Sequence, residues 1–182
     1  IPCLENKNEV TLIGTHLEDE LINSIQLNKN FHPALNIELP TKLKVEKYER
    51  LKSALEGGVD IIVAGVSSIG IKWFVDQIAK NYKKNLPIIL LTKDLAIEDN
   101  ELITLSDKIK KLLNKKGHEE VNVSAIKGPC LAAGLANKMR TGTVIANPNI
   151  KEAEKLKKII STNYYSTEIS DDLTGIELSG AI

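Results

Sequence analysis

Two segments that follow apolar runs carry residue types suited to binding an anionic ligand or a cofactor. Lys93 directly follows the apolar run 87–92, where an ammonium could hold a phosphate or polarise a carbonyl oxygen. A solvated surface lysine is the simpler explanation of Lys93 taken alone. Ser67 and Ser68 follow the apolar run 60–66, where small side chains let a cofactor lie close to the backbone. Serines at such positions are more often helix caps.

A third segment, Lys127-Gly128-Pro129-Cys130, joins a predicted strand to a predicted helix. Gly128 permits close approach to the backbone, and the free N–H groups of a helix start attract anions. Pro129 suits the first helical turn, so a tight strand–helix turn explains the same residues equally well. Cys130 is better explained as a small packing residue than as a nucleophile, because no His is near it in sequence.

The turn Gly14-Thr15-His16 follows the first predicted strand. A dinucleotide fold often places Asp or Glu here to accept both ribose hydroxyls, and this tip has neither, which argues against strict NAD preference. A polar turn and a ribose contact explain Thr15 equally well. The glycine-rich turn G-x-G-x-x-G is absent from the sequence, and we expect it upstream of residue 1.

Apolar, β-branched runs alternate along the chain with segments of helical period. Strands are predicted at 10–13, 60–66, 87–92, 121–126, 143–146 and 164–169, and helices at 18–27, 70–82, 102–112, 131–139 and from about 149. The segment 28–48 has no clear period and is predicted as a long excursion with short strands. Continuous apolar strands indicate a parallel sheet covered on both faces, hence a doubly wound α/β fold. Ligands of such sheets bind outside the carboxyl ends of the strands.

The composition is that of a globular domain of 182 residues in which 24 basic residues balance 24 acidic ones. This balance gives nucleic acid no long-range attraction, and no apolar run approaches the ~20 residues of a membrane span. Cys3 and Cys130 have no metal or redox spacing, which suits a reducing compartment. His16, His32 and His118 have no spacing for zinc or a triad. With no secretory signal visible, we expect a cytoplasmic protein.

Several segments together resemble one family more specifically than any motif does alone. The run SAIKGPCLAAGLANKMR at 124–140 is similar to a stretch in which Gly-Pro-x-x-Ala opens a helix, and SDDLTGIELSGAI at 170–182 resembles the segment leading to Ala-x-Lys-Asn. IIVAGVSS, IILLTKDL and NEVTLIGTH have counterparts in the same order. In these segments the chain resembles the NAD(P)-dependent glycerol-3-phosphate dehydrogenases.

The resemblance implies a Rossmann-like, mainly parallel sheet that lacks its first strand and glycine-rich turn. It implies NAD or NADP as cofactor and hydride transfer between dihydroxyacetone phosphate and sn-glycerol 3-phosphate, for glycerophospholipid synthesis. Lys93 is expected to contact both cofactor and substrate. The other expected cofactor contacts are Thr15, Ser67, Ser68 and Ala132, and the other expected substrate contacts are Gly128 and Cys130. No metal is expected.

The chain also departs from the family pattern. Asp94 stands where the family usually has Gly and is expected to compete for Lys93, while Ser67 replaces Pro and Cys130 replaces Ser or Thr. The general acid/base lysine is expected directly after Ile182.

Residues 1–182 are therefore expected to be a nucleotide-binding domain truncated at both ends and inactive by itself. The helical substrate domain, through which a homodimer could form, is not in the sequence. Two alternatives are a related NAD(P)-dependent hydroxy-acid dehydrogenase and a non-catalytic remnant that acts as a binding module.

Overall fold

The computed structural model describes residues 1–83 and 86–181. In chain order, the described strands are β1 (Thr11–Ile13), β2 (Phe31–His32), β3 (Ile37–Glu38), β4 (Lys44–Glu46), β5 (Ile62–Ala64), β6 (Ile88–Leu90), β7 (Leu95–Glu98), β8 (Glu101–Thr104), β9 (Val123–Lys127), β10 (Thr141–Ala146) and β11 (Tyr165–Ser170). The helices are α1 (Pro2–Glu5), α2 (Asp19–Leu27), α3 (Leu51–Glu56), α4 (Ile71–Ile78), α5 (Leu105–Asn114), α6 (Ala132–Ala136), α7 (Ile150–Ile160) and α8 (Leu173–Ala181). Each α/β alternation expected from the apolar periodicity is therefore present.

The central sheet has the order β11-β10-β9-β6-β5. β5, β6 and β9 run parallel, with Ile62 opposite Ile88 and Ile88 opposite Val123. β10 is antiparallel to β9 and parallel to β11. The mainly parallel sheet is thus confirmed, with one reversal where the connection from β9 to β10 contains only the five-residue helix α6.

Helices cover both faces of this sheet, which explains why β6 is a continuous apolar run. Ile88 and Leu90 lie in the core formed with α4 and α5, whereas Ile89 lies in the core formed with α7. Successive side chains of a strand point to opposite faces, so a strand covered twice must be apolar throughout.

A smaller unit contains the parallel pair β1–β4, the β2–β3 hairpin and α2. Ile22 and Ile25 of α2 pack on Leu39 and Val45. Within the described residues, β1 pairs only with β4, and β5 pairs only with β6 and with no strand on its other edge. The first strand and glycine-rich turn, which the resemblance implies to be missing, stay a prediction.

The predicted helix over 102–112 is wrong in its first turn. Leu102 lies in β8 and is 64 % exposed. Asp99 and Asn100 both have positive φ, 53° and 64°, as a two-residue hairpin turn between β7 and β8 requires. The helix predicted over 131–139 is also shorter than expected. Leu131 and Met139 lie outside α6, and both side chains are exposed.

Candidate functional site at the carboxyl ends of the central strands

The carboxyl ends of β5, β6 and β9 are joined by side-chain hydrogen bonds. Thr92 Oγ1 donates to the Val66 carbonyl oxygen at 2.5 Å, which ties the end of β6 to the end of β5. Lys93 Nζ donates to the Gly128 carbonyl oxygen at 2.5 Å, which ties β6 to the turn after β9. The structure therefore brings together Lys93 and Gly128, two of the residues predicted from separate segments.

The Lys93 side chain is exposed beyond its contact with Gly128. Its ammonium thus lies at the open end of the strands, where a doubly wound sheet binds its ligands. An ammonium at this place can stabilise negative charge on a ligand oxygen. Its contact with substrate or cofactor stays a prediction.

Asp94 does not compete for Lys93, contrary to expectation. Its carboxylate is hydrogen-bonded by Ser68 and accepts the Leu95 N–H at 2.8 Å. These two hydrogen bonds, with a smaller contribution from the charge of Lys127, lower the pKa of Asp94. The partners of the carboxylate are therefore Ser68, beyond the end of β5, and the adjacent backbone, rather than the neighbouring ammonium.

Ser67 and Ser68 do not cap the helix that follows them. α4 begins at Ile71 with Gly70 as its N-cap, and no side chain caps it. The Gly70 N–H donates instead to the backbone carbonyl of Ser67 at 2.9 Å. The helix-cap explanation is therefore wrong, and Ser68 instead hydrogen-bonds the Asp94 carboxylate. Cofactor contacts by Ser67 and Ser68 stay predictions.

Gly128 is required by its neighbours in the sheet. A Cβ atom on Gly128 would lie 2.9 Å from both the Gly142 carbonyl oxygen and the Thr143 Cα. Such contacts are closer than real Cβ atoms allow. Position 128 must therefore be glycine for the turn after β9 to lie this close to β10. The close backbone approach expected at Gly128 is therefore observed, but α6 begins at Ala132, so Pro129 does not lie in the first helical turn. A substrate contact by Gly128 stays a prediction.

Cys130 and Ala132 lie on the chain just beyond this turn. Cys130 is half-buried against the core cluster that contains Tyr165, and its thiol donates to the Leu131 carbonyl oxygen at 3.9 Å. The packing explanation of Cys130 is confirmed. Ala132 is exposed at the start of α6. The substrate contact expected of Cys130 and the cofactor contact expected of Ala132 stay predictions.

Thr15 lies apart from these residues, at the end of β1 in the smaller unit. Its backbone N–H donates to Glu18 Oε2 at 2.7 Å. The neighbouring His16 ring lies 5.0 Å from the Trp73 ring of α4, and Tyr48 lies 5.5 Å from the same ring. This aromatic contact holds the tip of β1 against the central unit, and the cofactor contact expected of Thr15 stays a prediction.

Comparison with known proteins decides the family of the chain. The family model described as the N-terminus of NAD-dependent glycerol-3-phosphate dehydrogenase matches residues 2–153. The chain belongs to this family. An NADP(+)-dependent glycerol-3-phosphate dehydrogenase of Archaeoglobus fulgidus is 30% identical over 182 residues, which is 100% of this chain and 52% of the relative.

Solved glycerol-3-phosphate dehydrogenases share the fold. The enzyme of Coxiella burnetii aligns with a TM-score of 0.83 at 21% identity, over 98% of this chain and 51% of its own. That of Plasmodium falciparum aligns with a TM-score of 0.82 at 18% identity, over 100% of this chain and 50% of its own. The chain therefore has the Rossmann-type α/β fold of this family and spans about half the length of the relatives it matches.

The sequence did not predict that two charged residues at this site of the dehydrogenase domain are buried. Lys127 is 3% exposed and Glu177 of α8 is fully buried. Burial lowers the pKa of Lys127, and the charge of Lys93 acts in the same direction, while Glu177 and Asp94 oppose the shift. A lysine directly after a continuous apolar strand was the one sequence signal that could have singled out Lys127.

The described residues of the domain contain no group of three or more His, Cys, Asp or Glu side chains placed to hold a metal ion. Among the same residues, no helix has the length and apolar character needed to cross a membrane.

Proposed function

We propose that the natural protein containing this chain interconverts dihydroxyacetone phosphate and sn-glycerol 3-phosphate by hydride transfer with NAD(P)H. The similarity over all 182 residues to the Archaeoglobus fulgidus dehydrogenase carries the proposal, because it includes every strand end described above. We further propose that the glycerol phosphate formed supplies glycerophospholipid synthesis in the cytoplasm.

The open backbone at the end of β5 supports a cofactor site at this end of the sheet. A Cβ atom on Gly65, at the end of β5, would meet nothing within 4 Å, and Ser67 is exposed beside it. Small groups at this place let a flat ligand lie against the backbone. Bound NAD or NADP supplies the hydride, and the protein supplies binding, orientation and charge. The cofactor would be held by Thr15, Ser67, Ser68, Lys93 and Ala132.

Lys93 has the main electrostatic role in this proposal. Its ammonium would face the oxygen that gains negative charge when the ketone is reduced, and a preorganised cation stabilises that charge without reorganisation. Gly128 and Cys130 would border the substrate on the β9 side. The hydrogen bond from Lys93 to the Gly128 carbonyl would hold the ammonium in position before the ligand binds.

Residues 1–182 are proposed to be the nucleotide-binding domain of a longer enzyme, since the relatives are about twice as long. In that enzyme a glycine-rich turn would hold the pyrophosphate, and a lysine directly after Ile182 would act as general acid/base. Ile182 lies outside the described residues. A helical domain would bind the substrate phosphate and could form a homodimer.

The proposal is tested with the purified natural protein, by following the absorbance of NADH or NADPH as dihydroxyacetone phosphate is added. Turnover is expected with this ketone, and Lys93→Ala should lower it about 100-fold or more, as loss of one charge-stabilising donor does. Lys158→Ala removes an exposed lysine from α7 and serves as the matched control. Turnover of an unphosphorylated 2-keto acid instead would identify a hydroxy-acid dehydrogenase. Cofactor or ligand binding without any turnover would favour a non-catalytic module.

A further inference from the structure

Lys127 connects three elements around the candidate site. Its Nζ donates to the Thr92 carbonyl oxygen at the end of β6. Its aliphatic stem packs on Gly180 near the end of α8, where a Cβ atom would lie 3.0 Å from the Cβ, Cγ and Cδ atoms of Lys127. Its backbone carbonyl accepts Thr143 Oγ1 of β10 at 2.7 Å. Lys127 therefore touches the strand that presents Lys93, the final helix and the neighbouring strand.

The two lysines of the site cross between adjacent strand ends. Lys93 extends from β6 to the Gly128 carbonyl after β9, while Lys127 extends from β9 to the Thr92 carbonyl directly before Lys93. Lys127 is almost completely buried and Lys93 is exposed. One ammonium is thus enclosed in the protein, and the other is available to a ligand.

The buried ammonium has a buried carboxylate to compensate its charge. Glu177 Oε1 accepts the backbone N–H of Ser106 at 3.1 Å. Glu177 Oε2 is buried and has no hydrogen-bond partner among the described residues. Desolvated charges are costly unless an opposite charge is near, and Glu177 is the largest attractive influence on Lys127.

We propose that Lys127 is a positioning residue: by holding the Thr92 carbonyl against β9, it fixes the strand end from which Lys93 meets the ligand. The role of Lys93 in this statement rests on the proposed function. Lys127 itself touches neither substrate nor cofactor. Its stem also fixes the end of α8 beside Gly180, so the same side chain sets the spacing between that helix and Lys93.

The first test measures Lys93 directly, in the natural protein that contains this chain. Reductive methylation by formaldehyde and a borohydride labels free amines, and mass spectrometry gives the rate for each lysine. In Lys127→Met the labelling of Lys93 should become about fivefold faster, the effect of losing one hydrogen bond. Labelling of the exposed Lys158 should not change, and Lys127→Arg should restore the slow rate at Lys93. Unchanged labelling of Lys93 in folded Lys127→Met overturns the proposal.

The second test uses the pH dependence of kcat/KM for dihydroxyacetone phosphate. The charged groups that face Lys127 are Glu177 from α8 and Lys93 and Asp94 from the end of β6. Activity should fall at alkaline pH as Lys127 loses its proton. Lys127→Arg should retain activity to a higher pH than the wild type does, because arginine stays charged. Glu177→Gln should move the fall to lower pH, because it removes the carboxylate that favours the charged lysine.

The two tests separate the two proposals. A wild-type protein that does not reduce dihydroxyacetone phosphate contradicts the proposed function, while the labelling rates still decide whether Lys127 positions Lys93. An arginine variant whose pH profile equals that of the wild type shows that Lys127 does not act through its charge, and overturns the positioning role. Should Lys127→Met fail to fold, the pH profiles of Lys127→Arg and Glu177→Gln still decide the proposal, because unchanged profiles in both variants overturn it.

Discussion

Replacing Gly128 by alanine should separate a steric requirement of the sheet from a need for backbone freedom. The new Cβ would lie 2.9 Å from the Gly142 oxygen and the Thr143 Cα, whereas ordinary contact begins at 3.4 Å. β10 would therefore have to move by about 0.5 Å, and both atoms belong to backbone that cannot rotate away. Overpacking of this kind typically costs about 1–3 kcal/mol.

Gly65→Ala is the matched control for this prediction. Gly65 also lies at the end of a central strand, but a Cβ there would meet nothing within 4 Å. The control should be neutral or gain about 0.4–1 kcal/mol, because alanine restricts the unfolded chain. The two variants therefore share the loss of glycine and differ in steric contact.

Urea unfolding followed by circular dichroism measures both variants against the wild type. We expect Gly128→Ala to have a lower midpoint at an unchanged slope, and Gly65→Ala to have a midpoint equal to or above that of the wild type. Equal stability of the two alanine variants would refute the reasoning, because it would mean that β10 yields without cost.

Three further predictions concern local structure and charge. Asn100 has φ of 64°, so Asn100→Gly should preserve the urea midpoint, whereas Asn100→Val should lower stability by about 1–2 kcal/mol. Thr104 accepts the Asp107 N–H at the start of α5, so Thr104→Ala should cost about 1 kcal/mol in urea unfolding, and exposed Thr41→Ala should not. Burial lowers the pKa of Lys127 below its ordinary 10.5, so between the two values the unfolded chain binds the proton more tightly. Wild-type stability should therefore rise with pH across that window, and Lys127→Met should abolish this rise in pH-dependent urea titrations.

The central sheet could be predicted from the sequence because strands that are buried on both faces are continuous apolar runs. The strands at 60–66 and 87–92 were predicted correctly in position, although the paired segments Ile62–Ala64 and Ile88–Leu90 are shorter. The β7–β8 hairpin was missed for a physical reason. Leu102 has helical spacing with the leucines of α5, and only the Asp99-Asn100 turn distinguishes the two structures.

The candidate site could be predicted only where a rule connects strand ends to ligands. Ligands of doubly wound sheets bind at the carboxyl ends of the strands, which predicted that Lys93 and Gly128 lie at the same end of the sheet. The structure brings the two residues into contact. The rule could not find Lys127 as a buried residue, because a lysine in a strand–helix turn is ordinarily solvated. Its burial depends on α8, whose glycines and mixed pattern gave no helical period to predict.

The opposed lysines explain how an exposed cation can be held in place at the open end of a parallel sheet. Carbonyl groups at the ends of parallel strands have no further ladder partner, so they are free to accept from side chains. Thr92 and Gly128 offer such carbonyls on adjacent strands, and each accepts the ammonium that the other strand provides. A single lysine crossing one way would leave the second strand end unattached. With two crossings the backbone directly before Lys93 and the turn after β9 are both held, while of the two lysines only Lys93 is exposed to a ligand.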